Sequence, residues 1–221
     1  MVDLPYVSIL VVTFRPGGLD VLFSALSAQN YTGEWELVLV DDQYYRRRDA
    51  MAEAASRWSI PRLKHVPNPR GNYPECSSAT ARNAALAEAT GDLAIWLSDY
   101  TSVRSDWITQ HAGMHMATVG KKIVISGAQF NVVLPRTDVV ELDHMDPCIA
   151  GRVSIFDEFA TPAVCDLLPL SVGQDARSIN APDGPVDHSV FTMKNDSLPP
   201  AAMRSIGGFD EAYDASPLCN C

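Results

Sequence analysis

The sequence lacks a long hydrophobic run, a basic amino-terminal region and an excess of basic residues. The first apolar run, Val7–Thr13, is far too short to cross a bilayer. The formal net charge is −10, and an acidic surface repels both nucleic acid and anionic membranes. These absences predict a cytoplasmic protein without a membrane span and argue against nonspecific binding to nucleic acid.

Basic residues cluster at Arg46-Arg47-Arg48, and this triplet is the best candidate for a patch that meets a polyanion. Three arginines are too few for a basic tail. We therefore favour the alternative that they form the solvated start of a helix.

The five cysteines lack the spacing of a metal site. Cys219 and Cys221 lie one residue apart, and no second pair completes a tetrahedral set with them. We expect free thiols in a reducing compartment at all five positions, which are Cys76, Cys148, Cys165, Cys219 and Cys221.

Strand-like and helical patterns alternate through the first 127 residues. Short β-branched apolar runs, typical of strands covered on both faces, lie at 7–13, 36–40, 63–66, 93–97 and 123–126. Helical spacing of apolar residues lies between them, at 19–30, 47–58, 78–89 and 106–118. The alternation predicts an α/β fold with a single doubly wound, mostly parallel sheet. A length of 221 residues favours one domain.

The remainder is less regular, because proline and aspartate are frequent from 135 to 185. This composition predicts a long irregular insertion, with a strand at 136–142 and a lid-like loop near 173–185. A strand at 186–194, a short helix at 199–206 and a turn at Gly207-Gly208 are predicted to follow.

Doubly wound sheets bind ligands beyond the carboxyl ends of their strands, where the strand order reverses. Thr13, Asp41, Asp42 and Asp99 lie at such strand ends. A carboxylate in this position can hold Mg²⁺ or Mn²⁺ that bridges two phosphates. Asp99 is the candidate, and the alternative is that it only caps the following loop.

Four motifs, in the same order, resemble the large inverting family of GT-A glycosyltransferases, the family-two type. The segment from Val7 to Asp42 resembles the family's opening, and Ala79–Leu86 resembles its Ala-Arg-Asn helix. Gly91–Tyr100 resembles its Gly-Asp, apolar strand and Asp-X-Asp motif. Lys194–Ser197, followed by Gly207–Glu211, is similar to its acceptor-side segment.

The resemblance implies a Rossmann-like GT-A fold, with a nucleotide-binding half at 1–127 and an acceptor-side half with the insertion at 128–221. It implies a hexosyltransferase that moves a sugar, with inversion, from a nucleotide diphosphate donor to a hydroxyl. A UDP-type donor and a saccharide or other hydroxyl-bearing acceptor are favoured. The residues implied for the donor nucleotide are Thr13, Phe14, Arg15, Asp41, Asp42, Arg82, Ser98 and Asp99.

The acceptor side is implied to include Asn195, with Trp107 and Tyr100 as aromatic rings that can stack on a sugar. The alternative for both rings is core packing. Arg82 likewise has an alternative, since helical spacing alone places it in solvent, whereas the motif places it against the nucleotide.

The metal motif is incomplete, because Ser98-Asp99-Tyr100 keeps only one of the family's usual carboxylates. Asp99, two phosphate oxygens and water can still hold Mg²⁺. His188 is a candidate second ligand that would favour Mn²⁺, since imidazole suits later metals. The alternative for His188 is an exposed edge histidine.

The general base of the family lies in an acidic motif beyond the Gly-Gly-Phe-Asp-Glu segment, and this sequence ends about ten residues after that segment. Two interpretations stay open. Either the sequence is part of a longer chain that carries the base, or the base is Asp210, Glu211 or Asp214.

Two rival functions remain. A sugar nucleotidylyltransferase needs a glycine-rich loop after strand one, and Phe14–Gly18 is poor in glycine and contains proline. A non-catalytic nucleotide-sugar or carbohydrate-binding module, derived from a degenerate transferase, would explain the incomplete metal motif.

Overall fold

The computed structural model of the chain describes residues 3–14, 19–70, 77–99, 101–119, 123–127 and 195–215. Several predicted features lie outside these residues: the strands at 136–142 and 186–194, the loop at 173–185 and all five cysteines.

Strands and helices alternate as the sequence predicts. The strands are β1 (Val7–Thr13), β2 (Trp35–Asp41), β3 (Leu63–Pro67), β4 (Leu93–Ser98), β5 (Ile125–Ser126) and β6 (Asn195–Leu198). The helices are α1 (Leu19–Ser27), α2 (Tyr44–Arg57), α3 (Ser78–Glu88), α4 (Trp107–Ala117) and α5 (Pro200–Ser205), followed by a 3₁₀-helix (Glu211–Ala215). Gly207 and Gly208 form the predicted turn, with φ of 89° and 78°, which side chains with a Cβ rarely adopt.

The strands form one six-stranded sheet in the order β3-β2-β1-β4-β6-β5. β3, β2, β1 and β4 are parallel, whereas β6 runs antiparallel between β4 and β5. This arrangement confirms the predicted α/β fold with a mostly parallel sheet. The strand order reverses between β1 and β4, so a ligand site is expected beyond their carboxyl ends.

Successive side chains of a strand point to opposite faces of the sheet. Helices cover both faces. One face carries Ile9, Leu37 and Ile95, which pack against α1, α2 and α4. The other face carries Leu10 and Trp96, which pack against α3 and α5. Trp96 is 1% exposed and therefore lies in the core.

β6 differs most from what the sequence predicts, because its residues Asn195, Asp196 and Ser197 are polar and yet buried. Buried polar groups are stable only when they are hydrogen-bonded. Helix α4 bonds to Ser197 through His111, whose Nδ1 lies 2.7 Å from Ser197 Oγ, and His115, whose Nε2 lies 3.0 Å from the same oxygen. Ser126 of β5 donates to the Asp196 carboxylate. Strand propensity therefore misses β6, since its side-chain partners come from elements distant in sequence.

The amino-terminal edge of the sheet is held by a buried polar network around Glu36, whose side chain is not exposed. Ser8 Oγ and Thr90 Oγ1 donate to Glu36 Oε1 at 2.7 and 2.8 Å, and Lys64 Nζ lies 3.0 Å from Oε2. Burial alone would raise the pKa of Glu36, but these hydrogen bonds lower it to about 2.

Gly91, from the Gly-Asp motif, belongs to the same edge. A Cβ at Gly91 would lie 2.6 Å from the Tyr6 carbonyl oxygen and 2.7 Å from the Ser8 nitrogen. Asp92 follows it and accepts a hydrogen bond from the Tyr6 amide. The motif therefore joins the starts of β1 and β4, at the edge opposite the predicted site.

Replacement of Glu36 by glutamine should lower the free energy of unfolding by about 2–3 kcal/mol at pH 7, the cost of losing charge-assisted hydrogen bonds. The folded-state pKa is depressed, so this contribution is present above the ordinary pKa near 4.5 and is lost toward pH 2. Denaturant unfolding of both proteins from pH 7 to pH 2.5 measures the difference. A difference that stays constant over this range would contradict the interpretation.

Candidate functional site at the carboxyl ends of the strands

The structure brings together the polar residues that the sequence places at strand ends. Thr13 and Asp41 are register partners at the ends of β1 and β2, and Asp99 follows β4. Thr13 Oγ1 donates a hydrogen bond of 2.8 Å to Asp99 Oδ2. All three side chains are buried. The Thr13–Asp99 bond therefore spans the point where the strand order reverses.

Asp41 forms a buried ion pair with Arg47, whose Nε and Nη2 donate to the two carboxylate oxygens at 2.6 and 2.7 Å. The same oxygens accept bonds of 2.7 Å from the Gln43 amide and 2.8 Å from His65 Nε2. Burial would raise the pKa of Asp41, but its partners, His65 and Arg47 foremost, lower it. Asp41 is therefore ionised, and its oxygens are engaged within the protein.

The neighbouring carboxylate, Asp42, has different partners. Asn68 Nδ2 donates to Asp42 Oδ1 at 2.6 Å and also to Ser77 Oγ at 2.7 Å. Burial, together with the adjacent charge of Asp41, raises the pKa of Asp42. Asp42 is only partly buried, and it is therefore the more accessible of the two adjacent carboxylates at the end of β2.

The other predicted donor residues on this side have simpler surroundings. The Phe14 carbonyl accepts a 2.8 Å bond from Gln43 Nε2, and Ser98 Oγ lies 3.4 Å from Asp99 Oδ1. Arg15, Tyr100 and His188 lie outside the described residues.

Arg82 and its neighbour Asn83 turn toward the segment that follows α5. The Arg82 guanidinium contacts Ser78 Oγ and lies 5.7 Å from the centre of the Phe209 ring. Asn83 exchanges two hydrogen bonds with the Phe209 backbone, at 2.8 and 2.9 Å, and donates to Glu211 at 2.9 Å. The Ala-Arg-Asn helix thus holds the Gly-Gly-Phe-Asp-Glu segment.

The three acidic residues predicted as candidate bases have unequal surroundings. Asp214 accepts bonds from the Ala79 amide at 2.7 Å and from the Thr80 amide and hydroxyl at 2.8 Å, which caps the start of α3. Burial alone would raise the pKa of Asp214, but these hydrogen bonds favour the charged form and lower the pKa on balance. Asp210 and Glu211 are exposed. Asp214 is consequently the least suited of the three to accept a proton.

Trp107 and Asn195, both predicted for the acceptor side, contact each other directly. Trp107 Nε1 donates to Asn195 Oδ1 at 2.7 Å, and both residues are buried. The structure therefore gives the indole a packing role between α4 and β6, which is the alternative to stacking on a sugar.

Oxygen ligands at Asp99, Thr13 and Ser98 are of the type that Mg²⁺ and Mn²⁺ accept. In the part of the chain that the structure describes, no group of three or more histidine, cysteine, aspartate or glutamate side chains could hold a metal ion. These residues therefore fit a metal only as part of a shell that phosphate oxygens and water complete.

Among the helices that the structure describes, none is long and apolar enough to cross a membrane.

The sequence reasoning missed Arg47, His65 and Asn68. Arg47 is 5% exposed, not solvated, although Arg46 and Arg48 are exposed as expected. The signal was present, because Arg47 precedes the buried Met51 by one helical turn and lies on its face. His65 has no comparable signal in the sequence, because its place beside the buried Leu39 depends on the register of β3 against β2.

The family model of glycosyl transferase family 2 matches residues 8–127, more than half of the chain. The chain therefore belongs to glycosyl transferase family 2. No curated protein matches the chain in sequence.

Two solved structures are similar to the chain. TarS residues 1–349 from S. aureus, in complex with UDP, is 14% identical with a TM-score of 0.53, over 95% of this chain and 52% of that one. The mannosyltransferase PcManGT from Pyrobaculum calidifontis, in complex with GDP-Man and Mn²⁺, is 21% identical with a TM-score of 0.43, over 57% and 36%. The chain spans about half or less of the length of these structures. The TarS match confirms the GT-A fold.

Replacement of Asp214 by alanine should lower the free energy of unfolding by about 1–2 kcal/mol, the usual cost of a lost helix cap. Asp210→Ala is the matched control, because Asp210 is exposed and its carboxylate accepts a local bond from the Ala212 amide. Urea unfolding measures both variants. Equal destabilisation by the two substitutions would show that Asp214 does not stabilise α3.

Proposed function

We propose that this member of glycosyl transferase family 2 transfers a sugar from a nucleotide diphosphate donor to an acceptor hydroxyl, with inversion at the anomeric carbon. The observation that carries the proposal is the Thr13–Asp99 hydrogen bond at the switch point of a GT-A sheet. Residues 1–127 serve as the nucleotide-binding half and 128–221 as the acceptor-side half of one domain. A UDP-type donor and a saccharide or other hydroxyl-bearing acceptor remain favoured.

Asp42 is the residue that we assign to the nucleoside. The Asp41 oxygens are occupied by Arg47, His65 and the Gln43 amide, whereas Asp42 is partly buried and, among the described residues, has one side-chain partner, Asn68. A carboxylate at this strand end accepts N–H groups of a base, and Thr13 and Phe14 line the adjacent strand end.

Asp99 is the residue that we assign to the diphosphate end of the donor. A bound Mg²⁺ or Mn²⁺ would take up negative charge on the departing diphosphate. The carboxylate of Asp99, held by Thr13, offers oxygen to such an ion, and His188 remains a candidate second ligand. On the acceptor side, exposed Asp210 or Glu211 accepts the proton of the attacking hydroxyl if the base lies within this chain.

A non-catalytic nucleotide-sugar-binding module is the second candidate. The observation in its favour is that Asp99 is the only carboxylate of Ser98-Asp99-Tyr100, while Asp214 caps a helix. Such a module would bind a nucleotide sugar without breaking its glycosidic bond.

Titration with UDP-, GDP- and dTDP-sugars, with and without Mn²⁺, tests the proposal. Wild-type protein should bind at least one donor more tightly with Mn²⁺ and should hydrolyse or transfer its sugar. Asp99→Asn should remove the effect of Mn²⁺, whereas the matched control Asp92→Asn, at the opposite edge of the sheet, should keep it. Donor binding that Mn²⁺ does not change, without any turnover, would favour the binding module, and no binding of any donor would contradict both functions.

The two adjacent carboxylates should respond differently to replacement by asparagine. Asp42→Asn should weaken nucleotide binding about ten- to hundredfold, the range of a lost charged hydrogen bond, with little effect on stability. Asp41→Asn should instead lower the free energy of unfolding by about 3–5 kcal/mol, because it removes the negative charge of a buried ion pair. Calorimetric titration with UDP and denaturant unfolding measure the two effects, and an unchanged UDP affinity of Asp42→Asn would refute its assignment.

A further inference from the structure

We infer that Arg47 is a positioning residue of the donor site, which acts through the Thr13 hydroxyl on the Asp99 carboxylate. The inference rests on the proposed function for its effect on donor binding. Its effect on the orientation of Asp99 follows from the contacts among these side chains and does not require the proposed function.

Arg47 connects two neighbouring strand ends. Its Nη2 atom lies 2.7 Å from Asp41 Oδ1 and 3.4 Å from Thr13 Oγ1. The Arg47 side chain is 5% exposed and the Asp41 side chain is fully buried, so water does not screen their charges strongly.

The guanidinium has donors and no acceptor, which determines the direction of the next bond. Thr13 Oγ1 can only accept from Arg47, so its single proton is left for Asp99 Oδ2, 2.8 Å away. The 3.4 Å contact is long for a hydrogen bond, but the positive charge still repels the hydroxyl proton from that side. Arg47 thereby selects the rotamer of the hydroxyl that holds Asp99.

The simpler alternative is that Arg47 only anchors α2 to β2 through Asp41. In that case its replacement would change stability and leave Asp99 unaffected. A double-mutant cycle between Arg47 and Thr13 separates the two roles, because coupling is measured directly.

The cycle consists of Arg47→Lys, Thr13→Val and the double variant. Lysine keeps the charge beside Asp41 but cannot donate to Asp41 and Thr13 with the same planar geometry. Valine has the shape of threonine without its hydroxyl. Arg48→Lys is the control, since Arg48 is exposed on the same helix and its side chain pairs with Asp49 at the surface.

The first measurement is the ¹³C chemical shift of the Asp99 carboxyl carbon in ligand-free protein at pH 7, assigned with Asp99→Asn. Arg47→Lys should move this resonance, Arg48→Lys should not, and Arg47→Lys should have no further effect when Thr13 is valine. The inference would be overturned if Arg47→Lys left the resonance unchanged. It would also be overturned if Arg47→Lys moved the resonance equally with threonine and with valine at position 13. If Arg47→Lys does not fold, the charge-neutral pair Arg47→Met with Asp41→Asn is compared with Asp41→Asn alone.

The second measurement is the affinity for UDP with Mn²⁺ by calorimetry. Arg47→Lys should weaken binding about threefold to tenfold in the wild-type background, the range of one hydrogen bond, and not at all in Thr13→Val. If wild-type protein binds neither UDP nor GDP with Mn²⁺, the proposed function fails, while the carboxyl resonance still decides whether Arg47 orients Asp99.

Discussion

The buried ion pair between Asp41 and Arg47 is the interaction on which the carboxyl edge of the sheet depends. The Asp41 and Arg47 side chains are 0% and 5% exposed, respectively. Opposite charges buried to this extent are stable only because each has further partners. Asp41 receives hydrogen bonds from β3 through His65 and from the start of α2 through Gln43 and Arg47. Since Arg47 also reaches Thr13, the pair connects the ends of β3, β2, β1 and β4 in one polar network.

The location of that network follows from the pleat of the sheet. Asp41 continues the face of Leu37 and Leu39, which packs against α2, and it therefore meets a residue of α2. Asp42 instead bonds to Asn68, which reaches Ser77 at the start of α3. Adjacent carboxylates thus enter different surroundings, which leaves Asp42 more accessible than Asp41.

Helix α3 connects the two parts of the chain, because residues beyond 194 hold both of its ends. Asp214 places a carboxylate at its amino terminus, and Arg204 donates to the Leu86 and Ala89 carbonyls at its carboxyl end, at 2.6 and 2.7 Å. Both charges are favourable for the helix dipole. Asn83 adds paired hydrogen bonds to Phe209. The motif helix therefore positions the segment assigned to the acceptor side.

Much of the fold and part of the site were predictable from sequence. Apolar runs identify β1 to β4 within about one residue, and the switch-point rule selects Thr13 and Asp99 before any contact is known. Asn195 to Ser197 in β6 were not predictable as a strand, because a run of polar residues is typical of a turn. Only the structure shows that α4 provides hydrogen-bond partners for Asn195 and Ser197. The cap by Asp214 was equally inaccessible, because 134 residues separate it from Thr80.

The sequence by itself determines the α/β class, the strand ends and the family motifs, because these depend on periodicity and order along the chain. Only the tertiary structure decides that Asp41 is occupied by Arg47, that Asp42 is the more accessible carboxylate, and that Trp107 packs inside. Those outcomes depend on which side chains meet across elements distant in sequence, and on how far each is buried. A pattern along one chain contains neither the contacts between distant elements nor the burial of each side chain. Contacts and burial together decide which charges remain available to a ligand.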